Sequence, residues 1–336
     1  MIKLLSKFIC LKKTSLILGV SASSTIGLFT AYQVIFDPHN IYGLFAALGC
    51  FVATLHQVSI RDHSIKFRLY VGVMFSILMS LAIALGSYYS NDLVISSLIL
   101  LAFAFLVGYT AKSDLVFANG VLFVADMYVI GTGFNNDILD SLIISSLTFI
   151  GAIIFILLFI SMAKKVKITY INDQRSIKII PDVESTLYAI SLSLGLIIGN
   201  FISIYFNIEI GYWIPMTVLL IFKPDVIRSS TAIKHRLIGT LIGSLFAIPL
   251  AIYLFNPYII WLILFITTFF TICCIIKHYG SYVFFLTIFI AMLLKLAHMS
   301  GYDISVSRLI YTVIGVIIVA IIIISSRYLK LILRLS

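Results

Sequence analysis

Residues Leu139 to Met162 read LDSLIISSLTFIGAIIFILLFISM. After Asp140 no charge appears until Lys164. A helix rises ~1.5 Å per residue, so this run reaches across the ~30 Å hydrocarbon core of a bilayer. A single such stretch could be a buried core helix. Eleven more of the same kind lie along the chain, and together they decide the fold class. The earlier ones run approximately from Ser15 to Phe36, Ile41 to Ser59, Phe67 to Tyr88, Asp92 to Thr110 and Leu115 to Phe134. The later ones run approximately from Thr186 to Phe206, Ile208 to Phe222, Ile233 to Leu254, Tyr258 to Ile276, Ser281 to His298 and Ser305 to Ser326.

Composition agrees. Of 336 residues, 62% are apolar and 11% charged, whereas a soluble domain is about 45–50% apolar and about 25% charged. The expectation is an all-α membrane protein with about twelve transmembrane helices and the lipid bilayer as its solvent.

The formal net charge is +10, but the lysines and arginines fall in short clusters between apolar runs. They form no basic stripe or arm, so the footprint that nucleic acid requires is missing. Lys3, Lys7, Lys12 and Lys13 precede an apolar stretch, as in a signal peptide. That stretch outruns a signal-peptide core and is read as a retained first span. Cys10 lies in the N-terminal segment, while Cys50, Cys273 and Cys274 lie within apolar runs. None has the spacing of a metal site, and they read as small packing residues.

Basic residues set the orientation. With the N-terminus cytoplasmic, 21 of the 23 Lys and Arg residues fall on the inside. Only Lys295 and Arg308 fall toward the outside, where Asp37, Asp92, Asp137, Asp140, Glu209 and Asp303 gather. Both termini are then cytoplasmic. The one sizeable polar segment, residues 164–185, reads as a cytoplasmic linker. It separates a first six-helix repeat, 1–163, from a second, 186–336.

Paired motifs support a repeat. Ile60-Arg61 is followed by Ile65-Lys66-Phe67-Arg68-Leu69, and Ile227-Arg228 by Ile233-Lys234-His235-Arg236-Leu237. Each motif leads into a helix with small residues four apart, Gly72 and Ser76 or Gly239 and Gly243. Six spans per copy is an even number, so the two repeats are expected to be parallel.

Polar groups inside spans are costly and mark function or pairing. Asp126, in the fifth span, reads either as a proton carrier or cation partner, or as a carboxyl kept neutral. Lys295, at a similar level of the eleventh span, could pair with Asp126, bind an anion, or snorkel to the surface. Asn119 and Asn200 read as helix–helix hydrogen-bonding amides. Gly239 and Gly243 read as a close-packing pair. Pro215 and Pro224 interrupt the short eighth span, as in the broken helices of transporters. Lys234, His235 and Arg236 stand at the mouth of the ninth helix, where they hold topology and could attract an anion. His298 reads as solvated at the outer interface. No metalloprotease, nucleophile-elbow or phosphate-loop motif is present, so the chain is not read as an enzyme and no cofactor or metal is expected.

The stretch Tyr212-Trp213-Ile-Pro215-Met-Thr217 through Lys223-Pro224, followed by Arg236-Leu-Ile-Gly239-Thr240-Leu-Ile-Gly243, resembles the fusaric acid resistance and aromatic acid exporter family. Tyr282 to Thr287 resembles the family's later Tyr and Thr positions. The resemblance implies a bacterial inner-membrane exporter of small, often aromatic, carboxylic acids driven by the proton gradient. It marks Tyr212, Trp213, Pro215 and Thr217, with Pro224, Lys234, Arg236, Gly239, Thr240 and Gly243, as pathway or mouth positions. Lys66 and Arg68 are their first-half counterparts. The first half has Gly43 where the motif has Trp and lacks a counterpart of Pro224, so the copies are expected to contribute unequally. Many members carry a large cytoplasmic domain where this chain has only the linker. A homo-oligomer or an accessory envelope subunit is therefore an expected partner. Two other readings stay open, a non-transporting envelope scaffold and a passive anion channel.

Overall fold

The computed structural model describes residues 13–36, 41–60, 63–166, 181–275, 278–297 and 300–332. Lys3, Lys7, Cys10, Lys12, Asp37, Arg61, Lys277, His298 and linker residues 167–180 lie outside the described residues.

Every apolar run is helical, and no strand occurs among the described residues. The helices are α1 (Lys13–Phe36), α2 (Tyr42–Ser59), α3 (Ile65–Tyr88), α4 (Leu93–Thr110), α5 (Leu115–Gly131) and α6 (Ile138–Val166). They continue with α7 (Val183–Tyr205), α8 (Trp213–Ile221), α9 (Val226–Tyr253), α10 (Pro257–Cys274), α11 (Tyr279–Leu296) and α12 (Gly301–Ile332). Caps written in the sequence start several of them. Asp92 accepts from the amides of Val94 and Ile95 at 3.0 and 2.9 Å ahead of α4. Asp182 accepts from the Ser185 amide at 2.7 Å ahead of α7. Asn256 accepts from the Tyr258 amide at 2.9 Å, with Pro257 opening α10. Such side chains satisfy donors that the first helical turn leaves unpaired.

Ten helices are long and apolar enough to cross a bilayer. The chain is a multi-pass membrane protein. The α6 run quoted at the outset has the highest mean hydropathy of the ten, 2.8. The expected fifth and eighth spans differ from the rest. The α5 helix has 17 residues, about 25 Å of rise, and α8 has 9 residues, about 14 Å. Pro215 does not break α8, because it occupies the third position, where a missing amide hydrogen costs nothing. The helix ends at Ile221 instead, ahead of Pro224, which disfavours helical backbone in the preceding residue.

The chain forms two compact units. One gathers the described residues within 1–81, 142–174 and 238–306, the other those within 82–141, 175–237 and 307–336. Each unit draws on both sides of the linker. In the first, α10 packs on α1 and α11, and α1 on α2. Trp261 Nε1 donates to the Gly27 carbonyl at 2.8 Å. In the second, α4 packs on α7 and α5, and α8 lies against α5 and α7. The two short helices therefore pack together within one unit.

Candidate functional site

The second unit holds Asp126, Asn200, Thr217, Arg236 and Arg308 among its buried polar side chains. A tight turn, Phe206 to Gly211, carries the chain from α7 into α8 with Asn207 and Ile210 at φ 46° and 60°. Positive φ at a β-branched residue is strained. The turn delivers Tyr212 and Trp213, whose rings stack at 5.1 Å. Along α8, Trp213 to Leu219 are buried. On the α12 side the approach is close: a Cβ at Gly315 would stand 2.8 Å from the Cβ of Thr217.

Three arginines, Arg68, Arg236 and Arg308, are among the largest fully buried side chains, each at most 1% exposed. This corrects the charge map. Arg68 and Arg236 counted there as charges of the inside surface, but both lie within helices, α3 and α9, with their side chains buried. Arg308 is not a surface charge: its guanidinium carbon sits 4.5 Å from the centroid of the Trp213 ring. Sequence reading left Arg308 out of the candidate site. The available signal was an arginine seven residues into an apolar helix.

Asp126 is the only buried carboxylate among the described residues, at 4% exposure. Its Oδ1 has no hydrogen-bond partner, and the same holds for Nε and Nη1 of Arg236 and Oγ1 of Thr217. The cations whose fields act on Asp126 are Arg236 and Lys223, and Tyr212 feels both Asp126 and Arg308. A run of mutually interacting groups thus extends from Lys223 and Arg236 through Asp126 and Tyr212 to Arg308. Within this unit the buried side chains comprise two guanidiniums and one carboxyl. A buried charge without a partner is costly.

The remaining candidates separate. Asn200 makes the helix–helix contact expected of an intramembrane amide, with its Nδ2 donating to Ser96 Oγ at 2.9 Å. Asn119 is half-buried on α5, while Lys66, Lys234 and Pro224 are exposed. Lys295 belongs to the first unit, where its Nζ donates to the Ala251 carbonyl and stands 5.2 Å from the centroid of the Phe255 ring. Gly239 and Gly243 seat α9 on α11: a Cβ at either would stand 2.7 Å from the Gly280 carbonyl or the Thr287 Cβ. Thr240 is fully buried beside them.

Arg68 and Arg236 hold the same place in the paired motifs, yet their surroundings differ. Arg68 donates through Nε to Gln57 Oε1 at 3.1 Å and through Nη2 to the Gln57 carbonyl at 3.0 Å. Its guanidinium carbon stands 4.2 Å from the centroid of the Phe159 ring.

Below α8, Tyr188 donates to the Phe222 carbonyl at 3.0 Å. A cavity of about 150 Å³ opens there, walled by the ends of α4 and α7 and by the α8–α9 connection, with Lys112, Tyr188, Phe222 and Lys223 on its lining. Lys112 Nζ bridges Asp182 Oδ2 at 2.5 Å and Glu184 Oε2 at 2.7 Å. The ammonium and the Ser185 amide hold the Asp182 carboxyl down at about 2.

Residues 194–322 match the fusaric acid resistance protein-like family. The resemblance drawn from Tyr212 to Gly243 is borne out over that segment. No significant match is found among curated proteins or among solved structures. The fusaric acid resistance protein-like segment contains α8, Arg236 and Arg308, whereas Asp126 and Lys112 come from outside it.

Proposed function

We propose that the protein exports small aromatic carboxylic acids across a bacterial inner membrane, with Asp126 carrying the coupled proton. The observation that carries this reading is the pairing of two buried guanidiniums, Arg236 and Arg308, with a single buried carboxyl in one unit. Nε and Nη1 of Arg236 have no hydrogen-bond partner, and a buried guanidinium so placed favours an organic anion in a medium where lone charges are costly. The aromatic faces of Trp213 and Tyr212 favour a ring on that anion. Protonation of Asp126 would release Arg236 from its field, linking proton and carboxylate. With α5 and α8 as short crossings beside the ten longer spans, the paired motifs support two parallel six-helix repeats with both termini cytoplasmic.

The test is benzoate flux in proteoliposomes with and without an imposed proton gradient. The intact protein is expected to drive benzoate against its gradient. Arg236→Gln should abolish flux, and Asp126→Asn should leave only downhill movement. Downhill flux by the intact protein that ignores the proton gradient would indicate a passive anion channel. Absence of flux for every acid tried would indicate a scaffold.

A further inference from the structure

The transport reading makes no use of the cavity below α8. Lys112 stands in the turn between α4 and α5, and its ammonium bridges Asp182 and Glu184 at the start of α7. The Lys112 and Asp182 side chains are 35% and 39% exposed, so solutes reach the pair. Lys223 lines the same cavity. Its ammonium makes no hydrogen bond or ion pair among the described residues, and its field reaches Asp126. The Lys223 backbone is fixed: its amide donates to Ser229 Oγ at 2.8 Å, and that hydroxyl donates to the Lys223 carbonyl at 3.1 Å. The Tyr188 bond to Phe222 fixes the wall between. Two lysines thus line one small space, one held by internal carboxylates and the other without an ion pair among the described residues. The volume is below the about 300 Å³ at which drug-sized pockets begin, so it suits a compact molecule.

We propose that this cavity is a portal subsite for a small monocarboxylate, in which the incoming carboxylate displaces Glu184 from Lys112 and is passed to Lys223. Asp182 and Glu184 then act as internal competitors that keep the portal shut when it is empty. Only the ligand class rests on the proposed function; the subsite rests on the cavity and its two lysines.

Internal competition fixes the signs of two substitutions. Removing the cation weakens binding, and removing the competitor strengthens it. A purely structural bridge gives no such opposition, since breaking it from either end has the same consequence. The experiment measures benzoate affinity for the full chain in lipid nanodiscs, in an Arg236→Gln background that silences the inner site. Adding Lys112→Gln should weaken binding at least tenfold, and Lys112→Arg should restore it. Adding Glu184→Gln should tighten binding about threefold, the range of an exposed ion pair. All these added substitutions are on exposed side chains, and helical content by circular dichroism confirms that each variant is folded. Unchanged affinity, shifts of the same sign in Lys112→Gln and Glu184→Gln, or no benzoate binding by the Arg236→Gln protein would each overturn the portal. Flux in proteoliposomes reports on the transport reading separately. Flux without portal binding removes only the subsite, and portal binding without flux removes only transport.

Discussion

The Arg308 guanidinium carbon lies 4.5 Å from the centroid of the Trp213 ring, joining α12 to the first residue of α8. A desolvated cation–π contact contributes up to about 2 kcal/mol, and Arg308 is 1% exposed. The ring fixes where the guanidinium stands beside α8. Trp213→Leu should raise the KM for benzoate about tenfold, equivalent to about 1.4 kcal/mol, while Trp213→Phe should recover most of the loss. Steady-state flux at graded benzoate concentrations checks both.

Arg68 and Arg236 should respond oppositely to the same substitution. Arg68 is tied to Gln57 and to the Phe159 ring. Removing one partner of a buried, hydrogen-bonded charge costs about 3 kcal/mol. Nε and Nη1 of Arg236 have no such bonds to lose. Arg68→Gln is therefore expected to lower the Tm by several degrees. Arg236→Gln should leave Tm nearly unchanged and abolish flux. Thermal unfolding in detergent, read beside flux, makes the comparison, and a large Tm loss in Arg236→Gln would count against an open guanidinium.

Ile210 holds φ at 60° in the turn that sets up Tyr212 and Trp213. Left-handed backbone costs a residue with a Cβ about 1–2 kcal/mol, more at a β-branched one. Ile210→Gly should stabilise the protein by about 1 kcal/mol, visible as a higher Tm. It should also loosen the placement of Trp213, because the turn then tolerates more than one conformation. A broader intrinsic Trp emission would register that change.

The Lys112 bridge should respond to salt far more than to pH. Its carboxylate partner Asp182 is held down at about 2, below the ordinary value of about 3.9. The contribution of Asp182 is present above about pH 4 and is lost as pH falls through about 2. The pKa of Lys112 is raised by the hydrogen bonds it donates to Asp182 and Glu184. Its contribution is complete below the ordinary value of about 10.4 and fades only as pH rises beyond it. Between about pH 4 and pH 10 the bridge should hold. Raising the salt concentration to about 1 M shortens the screening length to ~3 Å and should weaken it. Hydrogen exchange at the amides that open α7 reads the bridge directly, and protection that is constant in salt but falls between pH 6 and pH 8 would contradict this account.

The sequence by itself determined the helices, the membrane and the family segment. Hydropathy is a sum over neighbours along the chain, so runs such as Leu139 to Met162 declare themselves without knowledge of the fold. Capping is also local, as Asp92, Asp182 and Asn256 illustrate. The motif from Tyr212 to Gly243 was legible for the same reason, since its residues lie within one continuous stretch. Tertiary structure alone decided which charges are buried. Arg308 counted as an outside charge on the map, yet it lies against Trp213, 95 positions earlier in the chain. Asn200 meets Ser96 across 104 positions, and Lys112 meets Asp182 across 70. No local sum contains such pairings, because they depend on which helices pack together, and each compact unit draws helices from both sides of the linker. The physical cause is the same in each case. Burial of a guanidinium is set by the atoms that surround it in space, and those come from segments that sequence order keeps far apart.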